Sequence, residues 1–251
     1  MRFPYLYHIH HSFHPEDLPF WLDLVSSLAG PVLELGCGTG RVLSALANAG
    51  HLPWGIELER AMLAALRQFL PGPLQTSVHL IQGDFCRLPL AAGHFHLVYM
   101  PCNTYSTLSA EQRQAVLTGV SRCLVPGGTF AAGIPNPTEL HRLPSASTAE
   151  VEETFPHPED GALVQVSSSW ERKNGVFQVT WTYDHLLPGG QVDQLSVQVQ
   201  HQLAPTRQYL AELSAAGFAQ VQTYGDYDRS AYHRSSPYLI LVAQQPGFLP
   251  A

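Results

Sequence analysis

Lysine is nearly absent from this sequence, since Lys173 is the only one among 251 residues. Charged residues of all kinds make up 13% of the chain, which is about half the share of a typical globular domain. The 13 Lys and Arg residues are outnumbered by 20 Asp and Glu residues, so the net charge is -7. A chain with so little positive charge lacks the basic face that binds polyanions. Neither nucleic acid nor an anionic membrane surface is therefore expected as a partner.

Cysteine pairs and long apolar runs are also missing. No C-x-x-C pair occurs, so no zinc knuckle or thioredoxin-type site is expected; the four cysteines are Cys37, Cys86, Cys102 and Cys123. No apolar run reaches the roughly 18 residues of a membrane helix. We expect reduced thiols, a cytoplasmic location and no membrane span. We also expect no metal, because no acid and thiol complete a site beside the N-terminal histidines His8, His10, His11 and His14.

Short apolar strands and amphipathic helices alternate along most of the chain. A first helix is predicted near 14–28, and strands near 31–35, 54–58, 78–82, 95–100 and 129–134 are separated by helices. A helix near 206–216 and two final strands resume the pattern. This alternation predicts an α/β fold, a Rossmann-like seven-stranded and mostly parallel sheet with helices on both faces. Residues 1–251 are interpreted as a single domain.

The alternation is interrupted between residues 136 and 203. Residues 136–160 are rich in Pro, Ser, Thr and Glu, which is typical of a loop. Residues 163–203 alternate apolar and polar side chains with a period of two, with hairpin turn signals at 174–175 and 188–190. We predict a loop plus a three-stranded antiparallel insertion within the domain. Its apolar face is expected to cover a pocket or to join two copies in a homodimer.

The motif with the most chemical content is a glycine cluster after the first strand. It reads Glu34-Leu35-Gly36-Cys37-Gly38-Thr39-Gly40 and stands where backbone can approach a ligand at the carboxyl end of the sheet. Nicotinamide-binding proteins favour G-x-G-x-x-G, whose third glycine would stand at Arg41, so a dehydrogenase is disfavoured. At the end of the second strand, Glu57 can accept both hydroxyls of a ribose. After the third, Asp84 and Phe85 offer a carboxylate and a ring to an adenine.

At these positions the chain resembles the class I S-adenosylmethionine-dependent methyltransferases. The resemblance includes 32–41, 55–63, 82–90, 95–100 and 124–129, and it extends to 207–218 and 236–243. It implies S-adenosylmethionine as cofactor, with S-adenosylhomocysteine as its product. It also implies that the glycine loop lies under the methionine part and that backbone near the sulfonium follows the fourth strand. The implied cofactor residues are Glu34, Gly36, Cys37, Gly38, Gly40, Glu57, Leu58, Asp84, Phe85, Met100 and Pro101.

The loop after the fourth strand should select the methyl acceptor. Its candidate substrate residues are Cys102, Asn103 and Tyr105. Methyltransferases of exocyclic base amines resemble one another in an Asp/Asn-Pro-Pro-aromatic run here, which this chain lacks. The Pro101-Cys102 dipeptide is similar to the nucleophile of cytosine-C5 methyltransferases, but the net charge of -7 disfavours a nucleic-acid substrate. Cys102 is therefore interpreted as a small residue lining the site.

The layout is similar to a small-molecule subgroup of the family, with an N-terminal helix and a β insert after the fifth strand. We predict methyl transfer to nitrogen or oxygen of a small molecule, with no catalytic base assigned. The alternative is a non-enzymatic sensor that binds S-adenosylmethionine or S-adenosylhomocysteine. An open acceptor pocket beside 100–105 would favour the enzyme, and a closed one the sensor. Tyr5, Tyr7 and the N-terminal histidines are expected to fold over the cofactor.

Overall fold

The computed structural model of the chain describes residues 3–247 and contains two β-sheets with helices packed around the larger one. The helices are α1 Phe3–Ser12, α2 Leu18–Ser26, α3 Arg41–Asn48, α4 Arg60–Phe69, α5 Ala110–Cys123, α6 Pro137–Arg142 and α7 Thr206–Ala215. The strands are β1 Val32–Leu35, β2 Trp54–Glu57, β3 His79–Gln82, β4 Phe95–Met100, β5 Leu124–Pro135, β6 Glu150–Pro156, β7 Leu163–Lys173, β8 Val176–Leu186, β9 Val192–Gln202, β10 Gln220–Tyr224 and β11 Tyr238–Gln244.

The larger sheet has seven strands in the order β10-β11-β5-β4-β1-β2-β3. The five neighbouring strands β5, β4, β1, β2 and β3 pair in parallel. Strand β11 runs antiparallel to both β5 and β10. Every residue of β1 is buried, as expected for a strand covered by helices on both faces. The predicted fold class, a mostly parallel seven-stranded α/β sheet, is confirmed.

Apolar side chains fill both faces of this sheet. One cluster packs α5 and α7 against Val98, Phe130 and Leu239. The other packs α2 and α3 against Leu97 and Tyr99 on the opposite face. Because successive strand residues point to opposite faces, the 97–99 segment of β4 contributes to both clusters. The site at the carboxyl ends of β1, β2 and β4 is therefore supported from both sides.

The insertion differs from the sequence prediction, because its sheet has four antiparallel strands, in the order β6-β7-β8-β9, rather than three. The additional strand β6 and the short helix α6 lie inside the predicted loop of 136–160. β6 is an edge strand, and five of its seven residues are exposed. An exposed edge strand needs no apolar alternation, so its sequence resembles a loop.

A second difference concerns the N-terminus, where the chain forms two helices instead of one. Helix α1 precedes the predicted one and buries Leu6 and His10, four residues apart. Five other aromatic or histidine residues lie from Phe3 to His11, so the sequence shows no clear apolar period that would mark the buried positions. Within residues 3–247, no helix is long and apolar enough to cross a membrane. All four cysteines are free, as predicted.

Candidate functional site

The glycine loop connects β1 to α3 through three left-handed residues. Gly36, Gly38 and Gly40 have φ of +75°, +53° and +83°, a region that other residues enter at a cost. A Cβ on Gly40 would lie 2.6 Å from Leu66, and one on Gly36 would lie 3.2 Å from Thr104. The loop is fixed to the sheet because the Gly36 and Cys37 amides donate to the Ile56 carbonyl. The backbone angle thus favours glycine at all three positions, and the lack of space favours it also at Gly36 and Gly40.

Glu57 lies at the end of β2 and faces this loop. One carboxylate oxygen accepts a hydrogen bond from the Gly38 amide at 3.0 Å. The other accepts from the Glu59 amide at 2.9 Å. Each carboxylate oxygen has a further lone pair, so both can still accept from a pair of hydroxyl groups. The neighbouring Leu58 side chain is exposed and supplies apolar surface beside the carboxylate.

Asp84 and Phe85 follow β3 at the same edge of the sheet. Asp84 Oδ1 accepts a hydrogen bond from the Cys86 amide at 2.8 Å and so caps the short helical turn 85–87. Phe85 is half-buried, and its ring lies 3.4 Å from the position of a Cβ on Gly36. The ring is therefore adjacent to the glycine loop, while the second Asp84 oxygen is available to a donor.

The end of β4 continues into a loop with two successive left-handed residues, Cys102 and Asn103, at φ of 55° and 60°. Non-glycine residues in this region cost roughly 1–2 kcal/mol each, and such strain is often found at binding sites. Met100 and Pro101 are buried before it. Asn103 Oδ1 is buried without a hydrogen-bond partner among residues 3–247, and Asn103 is not one of the residues that line the pocket described below.

Tyr105 occupies a different environment from Cys102. Its side chain is fully buried, with ring contacts to Phe130 and Tyr209 at 5.5 and 5.9 Å between centroids. Its hydroxyl has no hydrogen-bond partner. The structure therefore places Tyr105 beneath the loop, whereas Cys102 lies at the pocket surface.

Arg41, the first residue of α3, joins the pocket to α2. Its guanidinium binds both carboxylate oxygens of Asp17, at 2.6 and 2.8 Å, and Trp21 Nε1 donates to the same carboxylate. Arg41 also donates to Cys102 Sγ at 3.0 Å. Although Cys102 is exposed as a residue, burial of its sulfur raises the pKa of the thiol, and the guanidinium offsets this only in part. Cys102 is thus not activated as a thiolate nucleophile.

Helix α1 lies across the glycine loop. His8 Nδ1 is 3.0 Å from Thr39 Oγ1, and its ring stacks on Phe69 at 3.8 Å. The Tyr7 ring lies 4.0 Å from the position of a Cβ on Gly38 and stacks on His11 at 3.9 Å. The sequence analysis expected Tyr5, Tyr7 and the N-terminal histidines to fold over the cofactor, but it did not identify Arg41 as a pocket residue.

These elements line a small pocket beside the glycine loop. Its lining brings together predicted and unpredicted residues: Tyr7, His11, Glu34, Gly36, Cys37, Gly38, Thr39, Gly40, Arg41, Val42, Cys102 and Thr104. Of the other predicted residues, Glu57 contacts the loop from the β2 side. Cys37 lines the pocket, but its side chain also packs in the apolar cluster between α3 and α4.

Glu34 gives the pocket its electrostatic character. The carboxyl is 3% exposed and accepts a hydrogen bond from the Tyr99 hydroxyl at 2.9 Å. Burial raises its pKa to about 8, although the Tyr99 hydrogen bond opposes the shift. A positively charged ligand group nearby would favour the carboxylate form. A ligand that carries an ammonium and a sulfonium therefore fits a pocket with this carboxyl group.

Comparisons with known proteins agree with this geometry. The profile of a family described as "Methyltransferase domain" matches residues 32–128. The chain is 34% identical over 140 residues to the cypemycin N-terminal methyltransferase of Streptomyces sp, covering 48% of this chain and 55% of that protein. The chain spans about half the length of that relative and of the next curated one.

Two solved structures cover nearly the whole chain. The CcbJ methyltransferase from Streptomyces caelestis matches with a TM-score of 0.76 and 27% identity, over 93% of this chain and 91% of that one. SAM-bound CalS10, an amino pentose methyltransferase from Micromonospora echinaspora, has a TM-score of 0.70 and 22% identity, over 96% of both chains. Residues 32–128 are thus similar to a methyltransferase domain, and the fold of the whole chain is similar to that of solved methyltransferases.

Proposed function

We propose that the protein transfers a methyl group from S-adenosylmethionine to an uncharged amine nitrogen of a small molecule. When bound, the cofactor supplies the methyl group on a sulfonium, and the chain's own residues hold and align the reactants. The glycine loop, Glu34 and Glu57 would hold the cofactor. Helix α1 would exclude water, because Tyr7 and His11 cover the loop. Alignment of two reactants alone can lower a barrier by about 7–11 kcal/mol.

The preference for nitrogen over oxygen rests on the pocket's lack of a base. A hydroxyl acceptor must lose its proton, whereas a neutral amine can attack as it is. Among the described residues that line the pocket, burial and the neighbouring His10 lower the pKa of His11 to about 3, so His11 is a poor base. The Cys102 thiol pKa is raised. Burial raises the pKa of Tyr7 and of Cys37, so both stay protonated, and Glu34 accepts a hydrogen bond from the Tyr99 hydroxyl.

The charge of the pocket supports the same choice. The Arg41 guanidinium reaches the pocket beside Cys102 but is paired with Asp17, so no unpaired carboxylate stands beside Cys102 to hold an acceptor as an ammonium. Two of the related proteins, an N-terminal methyltransferase and an amino pentose methyltransferase, are named for acceptors that carry an amine. This agreement extends to the acceptor class and leaves the particular molecule open.

The test is methyl transfer to matched pairs of acceptors, for instance an amino sugar and the corresponding hydroxy sugar, followed by mass spectrometry. The amine should gain one methyl group and the hydroxy compound none. The kcat/KM should rise with pH, and the midpoint of the rise should lie at the pKa of the acceptor amine. Two amines of different pKa should therefore give two different midpoints. A midpoint that stays fixed across acceptors, or transfer to the hydroxy compound, would instead indicate an enzymatic base and an oxygen acceptor.

Glu57→Ala tests the cofactor site in the same experiments. It removes a charged acceptor, and hydrogen bonds to charged groups contribute about 1.5–3 kcal/mol. S-adenosylhomocysteine binding measured by calorimetry should weaken about 10- to 100-fold. Glu59→Ala is the matched control, since that exposed acid lies two residues away and should bind normally.

The sensor alternative makes a different prediction. It requires the acceptor side of the pocket to be closed by protein. Methyl transfer to an added amine therefore decides between the enzyme and the sensor. Tight S-adenosylhomocysteine binding without methyl transfer to any amine would favour the sensor.

A further inference from the structure

Two buried histidines meet at the end of the inserted sheet, far along the chain from the glycine loop. His157 follows β6, and His185 lies near the end of β8. They are 6% and 5% exposed. Their rings stack with centroids 4.0 Å apart and planes within 16°. Asp160, in the turn between β6 and β7, closes the group.

The three side chains bring their electron-pair donors together. Asp160 Oδ1 lies 3.1 Å from His185 Nε2 and 3.3 Å from His157 Nδ1. The Glu159 amide donates to His157 Nδ1 at 3.3 Å, so that nitrogen carries a lone pair and no proton. A bound ion would take this lone pair in place of the long amide hydrogen bond.

The spacing matches that of a metal site. Around a tetrahedral Zn²⁺ with bonds of about 2.0–2.2 Å, neighbouring ligand atoms are about 3.3–3.5 Å apart. The two measured separations are 3.1 and 3.3 Å, and all three ligand atoms lie within 4.8 Å of one another. Imidazole nitrogen with a carboxylate oxygen is a ligand set typical of divalent first-row transition ions.

We propose that His157, Asp160 and His185 bind one divalent transition-metal ion of the Zn²⁺ class. Three protein ligands leave a fourth position for water, and the 45% exposure of the Asp160 side chain opens that position to solvent. The ion would connect the turn between β6 and β7 to β8.

The location suggests what the ion does. Phe155 and Tyr183 each stand two residues before a ligand histidine, so they share its face of the sheet. Both pack in the apolar cluster that receives Leu6 of α1. His10 of the same helix is 3.1 Å from the Tyr183 hydroxyl. A metal ion at this site would therefore stiffen the surface on which α1 is seated over the pocket.

The experiment uses untagged full-length protein stripped with a chelator. Zn²⁺ should then bind with a stoichiometry of one by calorimetry, and Co²⁺ should give the visible absorption of a tetrahedral site. His185→Ala and Asp160→Asn should each weaken binding by about 10- to 100-fold or more. His94→Ala, at an exposed histidine outside the group, is the matched control and should bind as the unmodified protein does.

Asp160→Asn separates ligation from folding. Asp160 Oδ1 also accepts from the Ala162 amide, and an asparagine oxygen can still accept that bond. Should His185→Ala fail to fold, the asparagine variant decides the question. The proposal is overturned if the stripped protein binds no Zn²⁺ at micromolar concentration. It is equally overturned if Asp160→Asn binds Zn²⁺ unchanged, since the ion would then lie elsewhere, for instance on the histidines of α1.

Discussion

The two sheets of this protein are buried in different ways. In the seven-stranded sheet, β1 is buried throughout and β4 exposes none of its six residues fully. In the four-stranded sheet, β9 buries one residue of eleven. The first sheet is stabilised by apolar surface on both faces. The second depends more on separate polar contacts with α1 and with the loop after β4, such as His10 with Tyr183 and Ser106 with His201.

This contrast has a functional consequence. The cofactor loop belongs to the rigid sheet, so its geometry is fixed by packing. The parts that close the pocket, α1 and the insert, are held to each other by one small apolar cluster around Leu6 and Tyr183 and by a few hydrogen bonds of modest net contribution. Elements that must admit and release a ligand are generally drawn from the less stable part of a fold. The four predictions that follow test this contrast.

The largest effect is expected from breaking a buried ion pair that joins two helices over the seven-stranded sheet. Arg113 of α5 is 1% exposed and binds both carboxylate oxygens of Glu212 of α7 at 2.7 Å. Glu212→Ala leaves this cation without its partner and should reduce the free energy of unfolding by about 3–5 kcal/mol. Chemical denaturation measures the change.

An exposed ion pair beside the insert provides its control. Glu139 pairs with Arg142 on α6, where their side chains are 35% and 62% exposed. Glu139→Ala should cost less than about 1 kcal/mol. Equal losses in the two variants would contradict the contrast between the regions.

Gly40→Ala should come next. The left-handed backbone should reduce the free energy of unfolding by roughly 1–2 kcal/mol. Overpacking of the new methyl group against Leu66 should reduce it by roughly another 1–3 kcal/mol. Gly50→Ala is the matched control, because its φ of +89° is similar but nothing lies within 4 Å of its Cβ position. We expect the Gly40 variant to be the less stable and the only one of the two to lose S-adenosylhomocysteine binding by calorimetry.

Raising the pH should destabilise the free protein through Glu34. Its pKa of about 8 in the folded state exceeds its usual 4.5, so the folded state holds the proton more tightly between these values. The free energy of unfolding should therefore fall as pH rises from about 5 to 8, by at most about 1.4 kcal/mol per unit. Denaturation of Glu34→Gln should lack this slope, and an unchanged slope would assign it to another group.

Lowering the pH should act on the insert through His201. Burial lowers its pKa to about 4, so the neutral form is the folded one. Its contribution is complete above 6.5 and is lost as pH falls from about 6.5 to 4. Hydrogen-exchange protection near the Ser106 contact, corrected for the intrinsic pH dependence of exchange, should decrease as pH falls through that window, and His201→Asn should reduce this decrease. Protection in β1 should change less, and a larger loss of protection there would contradict the assignment to His201.

Local patterns predicted the seven-stranded sheet correctly. Residues 31–35 and 95–100 are apolar because parallel strands are buried on both faces, and the glycines at 36, 38 and 40 mark the turn that follows. Strand β6 was missed because an edge strand with five exposed residues has no such pattern. Helix α1 was missed because its buried positions, Leu6 and His10, are surrounded by other aromatic and histidine residues.

The sequence by itself determined the fold class and the glycine loop after β1, because each depends on residues close together in the chain. Tertiary structure decided which distant side chains meet. Arg41 contacts Asp17 across 24 positions, and His10 contacts Tyr183 across 173. His157 and His185 converge only after two hairpins have formed. Such contacts depend on the packing of whole elements, so no local pattern of the chain encodes them.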